Sequence, residues 1–249
     1  MSTLIKGLLL TFVSLSSASI VSVTHDGSGY EIHEGAIVEG WVAKGNFTDA
    51  IFDEGFAYLE VETNRDFDDT VQAYAAGIVE GALSYELIYY AYRNTWEGYC
   101  DKKGQEFCDR LYAFVDSNMK WLETMIQEKG GQDPIMHQFG LILAQVDGVA
   151  EGYNRFAEHF IEDDTILMLN LVGDLVDLEL ILDPEIRNMT LDEWVESGHM
   201  PKEGSCSAII KLLPDNSDLY VGHAAWNFYE STRRTFFRSV VLVNQDQKT

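Results

Sequence analysis

A chain of 249 residues can bury a sizeable core and is long enough for one or two domains. Apolar residues make up 46% and charged residues 23%, a globular balance that excludes a disordered, collagenous or low-complexity chain. The net charge is −24 and uneven: Cys206 to Thr249 carries five cations against four acids, which leaves −25 on the first 205 residues. Such a surface repels nucleic acid and anionic membranes, so no nucleic-acid partner is expected.

At the N-terminus, Lys6 precedes an apolar run from Leu8 to Leu15, and Ser16-Ser17-Ala18 supplies small residues for cleavage. This reads as a secretory leader over residues 1–18. The run is too short to span a bilayer, which takes about 20 residues, and no other stretch is longer, so no transmembrane segment is expected. The route implied is secretory, ending in the lysosome or outside the cell. Two sequons suit that route, Asn46-Phe47-Thr48 and Asn188-Met189-Thr190, with glycans expected on surface loops.

Ser19 to Thr63 reads mostly as strands. Ile37, Val38, Trp41 and Val42 form one apolar set, and Ala57 to Glu62 forms another that alternates in its second half. From Asp68 the period lengthens to that of a helix through Val71, Ala75, Ile78 and Val79, capped by Asp68 or Asp69. Gly77 and Gly81 each weaken that helix by about 1 kcal/mol relative to Ala, which makes sense where another backbone packs closely. That reading is preferred over a catalytic role for Glu80. Ser84 restarts a helix through Leu87, Ile88 and Ala91.

A third helix is predicted from Gln105 to about Glu128, ended by Gly130-Gly131. Asp133-Pro134 opens the next, which runs towards Phe160. Another spans roughly Thr165 to Leu182 and stops at Asp183-Pro184. Thr190 to Glu193 is a capping box for a short helix. Strands followed by helices give an α+β class.

Cys100 and Cys108 flank a Lys-Lys-Gly turn, and in an oxidising compartment the pair reads as a local disulfide. Pairing them leaves Cys206 odd. His25, His33, His137, His159 and His199 show no metal-ligand spacing, and there is no HExxH, CxxC, phosphate loop or GxSxG elbow. No metal and no cofactor are expected.

Cys206 opens an apolar run to Leu213. Pro214 to Asp218 is a five-residue turn, and Leu219 to His223 returns. This is a hairpin that brings His223 back towards Cys206. A cysteine opening a strand becomes a nucleophile if the peptide bond before it is cut. Its new α-amino group, with a reference pKa of about 7.7–8.0, can act as base beside its own thiol.

The segment from Gly204 to Tyr229 resembles the phospholipase B-like family. So do Gly40 to Asn64 and Ala73 to Asn94, in the same order. The resemblance spans roughly Gly40 to Tyr229 and leaves the tail after about Ser231 outside it, where Ser239 to Val243 looks like a strand. It implies an N-terminal-nucleophile hydrolase, a four-layer αββα sandwich that is incomplete in this chain. It implies a cut between Ser205 and Cys206, with residues 19–205 as the pro-chain and 206–249 as the start of a truncated catalytic chain. Cys206 is then the nucleophile, His223 an active-site partner, and Trp226 part of the substrate pocket. The expected activity is removal of acyl groups from phospholipids. The alternatives are an amidase on N-acyl lipids or peptides, or an inactive, truncated secreted glycoprotein.

Overall fold

Alternating burial builds the first layer. The computed structural model describes residues 18–197, 206–225 and 235–240. Strands β1 (Ala18–His25), β2 (Tyr30–Glu34), β3 (Trp41–Ala50) and β4 (Phe56–Thr63) pair antiparallel, and β7 (Thr235–Val240) joins β4 in parallel, giving the order β2-β1-β3-β4-β7. Along β4, Ala57, Leu59, Val61 and Thr63 are buried while Phe56, Tyr58, Glu60 and Glu62 are exposed, which is the period of a half-buried strand. In the two neighbouring strands Val21 and Val23 of β1 and Ala43 and Gly45 of β3 line the same inner face.

Helix α2 (Asp69–Thr95) lies on that face, burying Ala75, Ala76, Ile78, Val79 and Leu83 against the valines of the sheet. The two helices expected from the sequence are present and meet at a kink at Ser84. Ser84 departs from helical backbone angles and its hydroxyl donates to the Glu80 carbonyl at 2.7 Å, the back-bonding that bends helices. Short α1 (Ile51–Glu54) turns the chain between β3 and β4.

Helix α5 (Pro134–Phe156) packs on α2 and runs parallel to it. An added Cβ would lie 2.1 Å from the Gln145 carbonyl oxygen at Gly77 and 2.2 Å from that of Val149 at Gly81. It would lie 2.1 Å from that of Tyr74 at Gly148 and 2.2 Å from that of Ile78 at Gly152. The contact is reciprocal, backbone on backbone, and only glycine fits at the four positions. The close packing expected for Gly77 and Gly81 is therefore present, with its counterpart on α5. Asp133 caps α5, accepting from the Ile135 amide at 2.9 Å, with Pro134 in the first turn.

The helix does not reach Phe160. Tyr153 donates its hydroxyl to the His159 carbonyl at 2.7 Å, and Asn154 exchanges two hydrogen bonds with the Ile161 backbone, so the chain turns back after Phe156.

Helix α3 (Tyr99–Lys103) occupies the expected Lys-Lys-Gly turn, and α4 (Gln105–Lys129) follows. The disulfide between Cys100 and Cys108 ties the two together. Cys108 is fully buried beside Phe107 and Leu111, so the staple anchors a second core. The helix expected from Thr165 to Leu182 is two, α6 (Asp163–Asn170) and α7 (Leu175–Leu182), parted by a turn around Gly173. The break lets Met168 and Leu175 both enter the core formed by Leu111 and Trp96. Short α8 (Pro184–Arg187) and α9 (Leu191–Glu196) follow. Thr190 and Glu193 form the capping box, with the Thr190 amide donating to Glu193 Oε2 at 2.8 Å and the Glu193 amide to Thr190 Oγ1 at 3.3 Å.

The class is α+β, as the sequence implies. Two details differ. Ile37 and Val38 lie in the loop before β3, where Ser22 holds the chain by donating to the Ala36 carbonyl and accepting from the Val38 amide. The last described strand, Thr235–Val240, takes in Ser239 and Val240 of the expected strand, and residues 241–243 lie outside the described residues. The leader lies outside the described residues. Among those residues no helix is long and apolar enough to cross a membrane.

Candidate active site

The hairpin read from the sequence is present. Strand β5 (Cys206–Leu212) pairs antiparallel with β6 (Leu219–Ala225), and the connection runs through a 3-10 turn at Pro214–Asn216. The Leu213 amide donates to the Asp218 carbonyl at 2.9 Å and closes the loop. Asp215 and Asn216 take φ of 62° and 55°, left-handed values that these two residue types tolerate better than most.

Register then places the two candidate side chains. Ala208 faces His223, and Cys206 faces Ala225. Side chains alternate along a strand, so Cys206 and Ala208 point to one face, and His223 joins them as the cross-strand partner of Ala208. Cys206 and His223 are thus diagonal neighbours on one face of the ribbon. Such neighbours lie about 7–8 Å apart, within reach of long side chains. Among the described residues no hydrogen bond links them. Cys206 is an exposed free thiol and His223 is exposed. Ser205 and Trp226, expected at the cleavage junction and in the pocket, lie outside the described residues.

Among the described residues, both faces of this hairpin are open. Ile210 is 72% exposed and Val221 67% exposed on the Cys206 face, and Ile209 is 63% exposed and Tyr220 58% exposed on the other. A two-stranded ribbon is marginally stable in water, and apolar side chains on both faces call for a covering layer on each. The outer face of the five-stranded sheet is also uncovered among the described elements. It presents Phe56 and Tyr58 of β4 beside Ile20 of β1. A cavity of about 460 Å³ lies there, lined by Ile20, Ile37, Lys44, Asn46 and Glu62 among others.

Asn46 is not in a loop, as its sequon suggests, but in the middle of β3. Its Nδ2 donates to Glu60 Oε2 at 3.1 Å across the outer sheet face. The flanking Gly45 and Thr48 hid this, because turn residues and sequons look alike without the register. Asn188 follows α8 and is exposed, the placement expected of it.

A further polar feature lies away from the hairpin. Glu80 of α2 lines a cavity of about 280 Å³ with Gln145 and Val149 of α5 and Ile166 of α6. Gln145 Nε2 donates to Glu80 Oε2 at 3.1 Å, and burial pushes the Glu80 carboxyl above the usual carboxylate range. The sequence signal was a single acid inside the small and apolar run Ala75 to Leu83, which the glycine packing reading absorbed. Among the described residues, no group of three or more His, Cys, Asp or Glu is placed to hold a metal ion.

The sequence profile of the family described as Phospholipase B matches residues 43–248. The match runs through the tail after Ser231, which the motif-based resemblance left outside. Phospholipase B-like 2 of Homo sapiens is 40% identical over 200 residues, covering 78% of this chain and 32% of that protein. Phospholipase B-like 3 of Caenorhabditis elegans is 35% identical over 187 residues, covering 74% of this chain and 30% of the relative. Phospholipase B-like protein B of Dictyostelium discoideum is 27% identical over 199 residues, covering 78% and 34% respectively. The chain spans about a third of the length of the curated relatives it matches. On the extent of the profile match, the chain belongs to the phospholipase B family.

Proposed function

We propose that the chain is the N-terminal part of a hydrolase precursor that removes acyl groups from phospholipids through Cys206 as an N-terminal nucleophile. The observation that carries this reading is the hairpin register, which sets His223 on the same face as Cys206 at the start of β5. Membership of a family described as Phospholipase B supports a phospholipid substrate. The layers favour the αββα sandwich: α2 covers one face of the five-stranded sheet, while the sheet's outer face and the hairpin carry the apolar residues that a second sheet layer would bury.

The chemistry proceeds in two stages. In the precursor the Cys206 sulfur attacks the Ser205 carbonyl. A thioester forms, the Ser205–Cys206 peptide bond breaks, and the released amine takes up the thiol proton. Water then hydrolyses the thioester, leaving a carboxylate on Ser205 and a free thiol and α-amine on Cys206. In the mature form the amine accepts the thiol proton as sulfur attacks the substrate ester. The leaving alcohol takes that proton back, and water releases the fatty acid. His223 orients the groups around sulfur and Trp226 lines the acyl site.

The reading assigns residues 1–18 to a leader, 19–205 to the pro-chain and 206–249 to the start of the catalytic chain. It places the protein in the secretory route to the lysosome or the exterior. The Cys100–Cys108 disulfide supports that compartment, since such bonds persist where the environment is oxidising. Glycans on Asn46 and Asn188 belong to the same proposal.

The test is expression in secreting cells and activity against diacyl phospholipid and its N-acyl amide analogue. Fatty-acid release from the phospholipid that disappears in Cys206→Ser supports the proposal. Release from the amide alone reassigns the site as an amidase. Processing and activity that persist in Cys206→Ala refute the nucleophile.

A further inference from the structure

Among the described residues, the cavity between α2, α5 and α6 holds an acid with no cation beside it. Its walls are apolar, with Ile88 of α2, Val146 and Val149 of α5 and Ile166 of α6. Three polar side chains interrupt them, Glu80, Gln145 and Asn170. Each amide is oriented by its own hydrogen bond. Gln145 directs Nε2 at Glu80 Oε2 at 3.1 Å, and Asn170 directs Nδ2 at the Ile166 carbonyl at 2.8 Å. The remaining polar atoms, Glu80 Oε1, Gln145 Oε1 and Asn170 Oδ1, are acceptors without a hydrogen bond among the described residues. Glu80 likewise forms no ion pair among them.

This set selects its ligand. Glu80 is half-buried, and a carboxylate partly withdrawn from water with no cation beside it disfavours an anionic ligand and favours a cationic one. An ammonium group has three donors and no acceptor, which suits a lining whose unpaired polar atoms are acceptors. The apolar walls suit an alkyl chain. At about 280 Å³ the cavity sits at the lower end of ligand pockets, about 300–1,000 Å³, so the ligand is small. Ile142 is 47% exposed and Asn170 is exposed, so these two mark the open rim, with Glu80 deeper.

We propose that this cavity binds a small primary alkylammonium, with Glu80 as its counter-ion and the aliphatic walls holding its chain. The site contains neither Cys206 nor His223, so it stands independently of the hydrolase reading.

The test is calorimetric titration of the whole chain near neutral pH with n-pentylamine, n-pentanol and pentanoate. The amine binds saturably and about tenfold tighter than the alcohol, a difference of about 1.4 kcal/mol. Pentanoate does not bind. Glu80→Gln brings the amine down to the affinity of the alcohol, and Ile142→Trp at the rim abolishes both. Equal affinity of amine and alcohol for the unaltered protein overturns the proposal without any variant. So does undiminished amine binding in Glu80→Gln or Ile142→Trp, which would mark unspecific pairing with the acidic surface. Absence of saturable amine binding also overturns it.

Discussion

Gly148→Ala tests the reciprocal packing of α2 and α5. Its new Cβ would lie 2.1 Å from the Tyr74 carbonyl oxygen and 3.0 Å from the Ile78 nitrogen, and ordinary contact begins near 3.4 Å. The helices must therefore part by about 1.3 Å at this point, because backbone atoms cannot rotate away. A gap of about 0.5–1 Å already forfeits a quarter to a half of each van der Waals contact, and Gly77, Gly81 and Gly152 share the interface. Overpacking of this kind costs about 3 kcal/mol or more, while Gly→Ala in a helix returns about 1 kcal/mol, so a net loss of about 2 kcal/mol is expected. For a chain of this size that lowers Tm by about 4–8 °C in thermal unfolding followed by far-UV circular dichroism.

Gly140, on the same helix, is the control. Its added Cβ meets only Ile126 Cγ2 at 3.2 Å, the mobile end of a side chain, so Gly140→Ala is expected to be neutral or slightly stabilising. Equal Tm for the two variants would refute the packing argument.

Three further outcomes follow from named contacts. Replacing Cys100 and Cys108 together by Ser lowers stability by about 2–3 kcal/mol in denaturant titration, because the loop is short; no change in midpoint would mean that the bond constrains nothing. Burial holds the Glu80 carboxyl above the ordinary glutamate range, so the native state binds the proton more tightly than the unfolded chain. Its ionisation destabilises the fold as pH rises from about 4.5 through the raised value. Glu80→Gln is therefore expected to stabilise at pH above that window and to change little below it, and a pH-independent effect would contradict this. Thr190→Ala removes the acceptor for the Glu193 amide and speeds its hydrogen exchange about fivefold, while an unchanged rate would remove the cap from the account.

The elements that announced themselves carry strong local signals. Asp133-Pro134 set the start of α5, Gly104 and Gly130 bracket α4, and the Thr190–Glu193 box caps α9. The alternation in the second half of Ala57 to Glu62 marked the buried face of β4. The hairpin was legible because a Pro-Asp-Asn turn separates two apolar runs, which brings His223 back towards Cys206, while the exact pairing of Cys206 with Ala225 and of Ala208 with His223 needed the register. What could not be read depends on distant partners. The break between α6 and α7 exists because Met168 and Leu175 reach one core, and the end of α5 is set by Tyr153 and Asn154 binding backbone that follows it. The partners of Gly77 and Gly81 lie on α5, more than sixty residues away. Asn46 was assigned to a loop for the same reason, since only the register shows that it faces Glu60.

The central claim is that Cys206 becomes an N-terminus by its own chemistry. Intact mass and N-terminal sequencing of the secreted protein, compared with Cys206→Ala, test it most directly. The account predicts a new chain beginning at Cys206 in the unaltered protein and a single uncut chain in the variant. The same cut in both would assign cleavage to another protease and contradict the autocatalytic nucleophile.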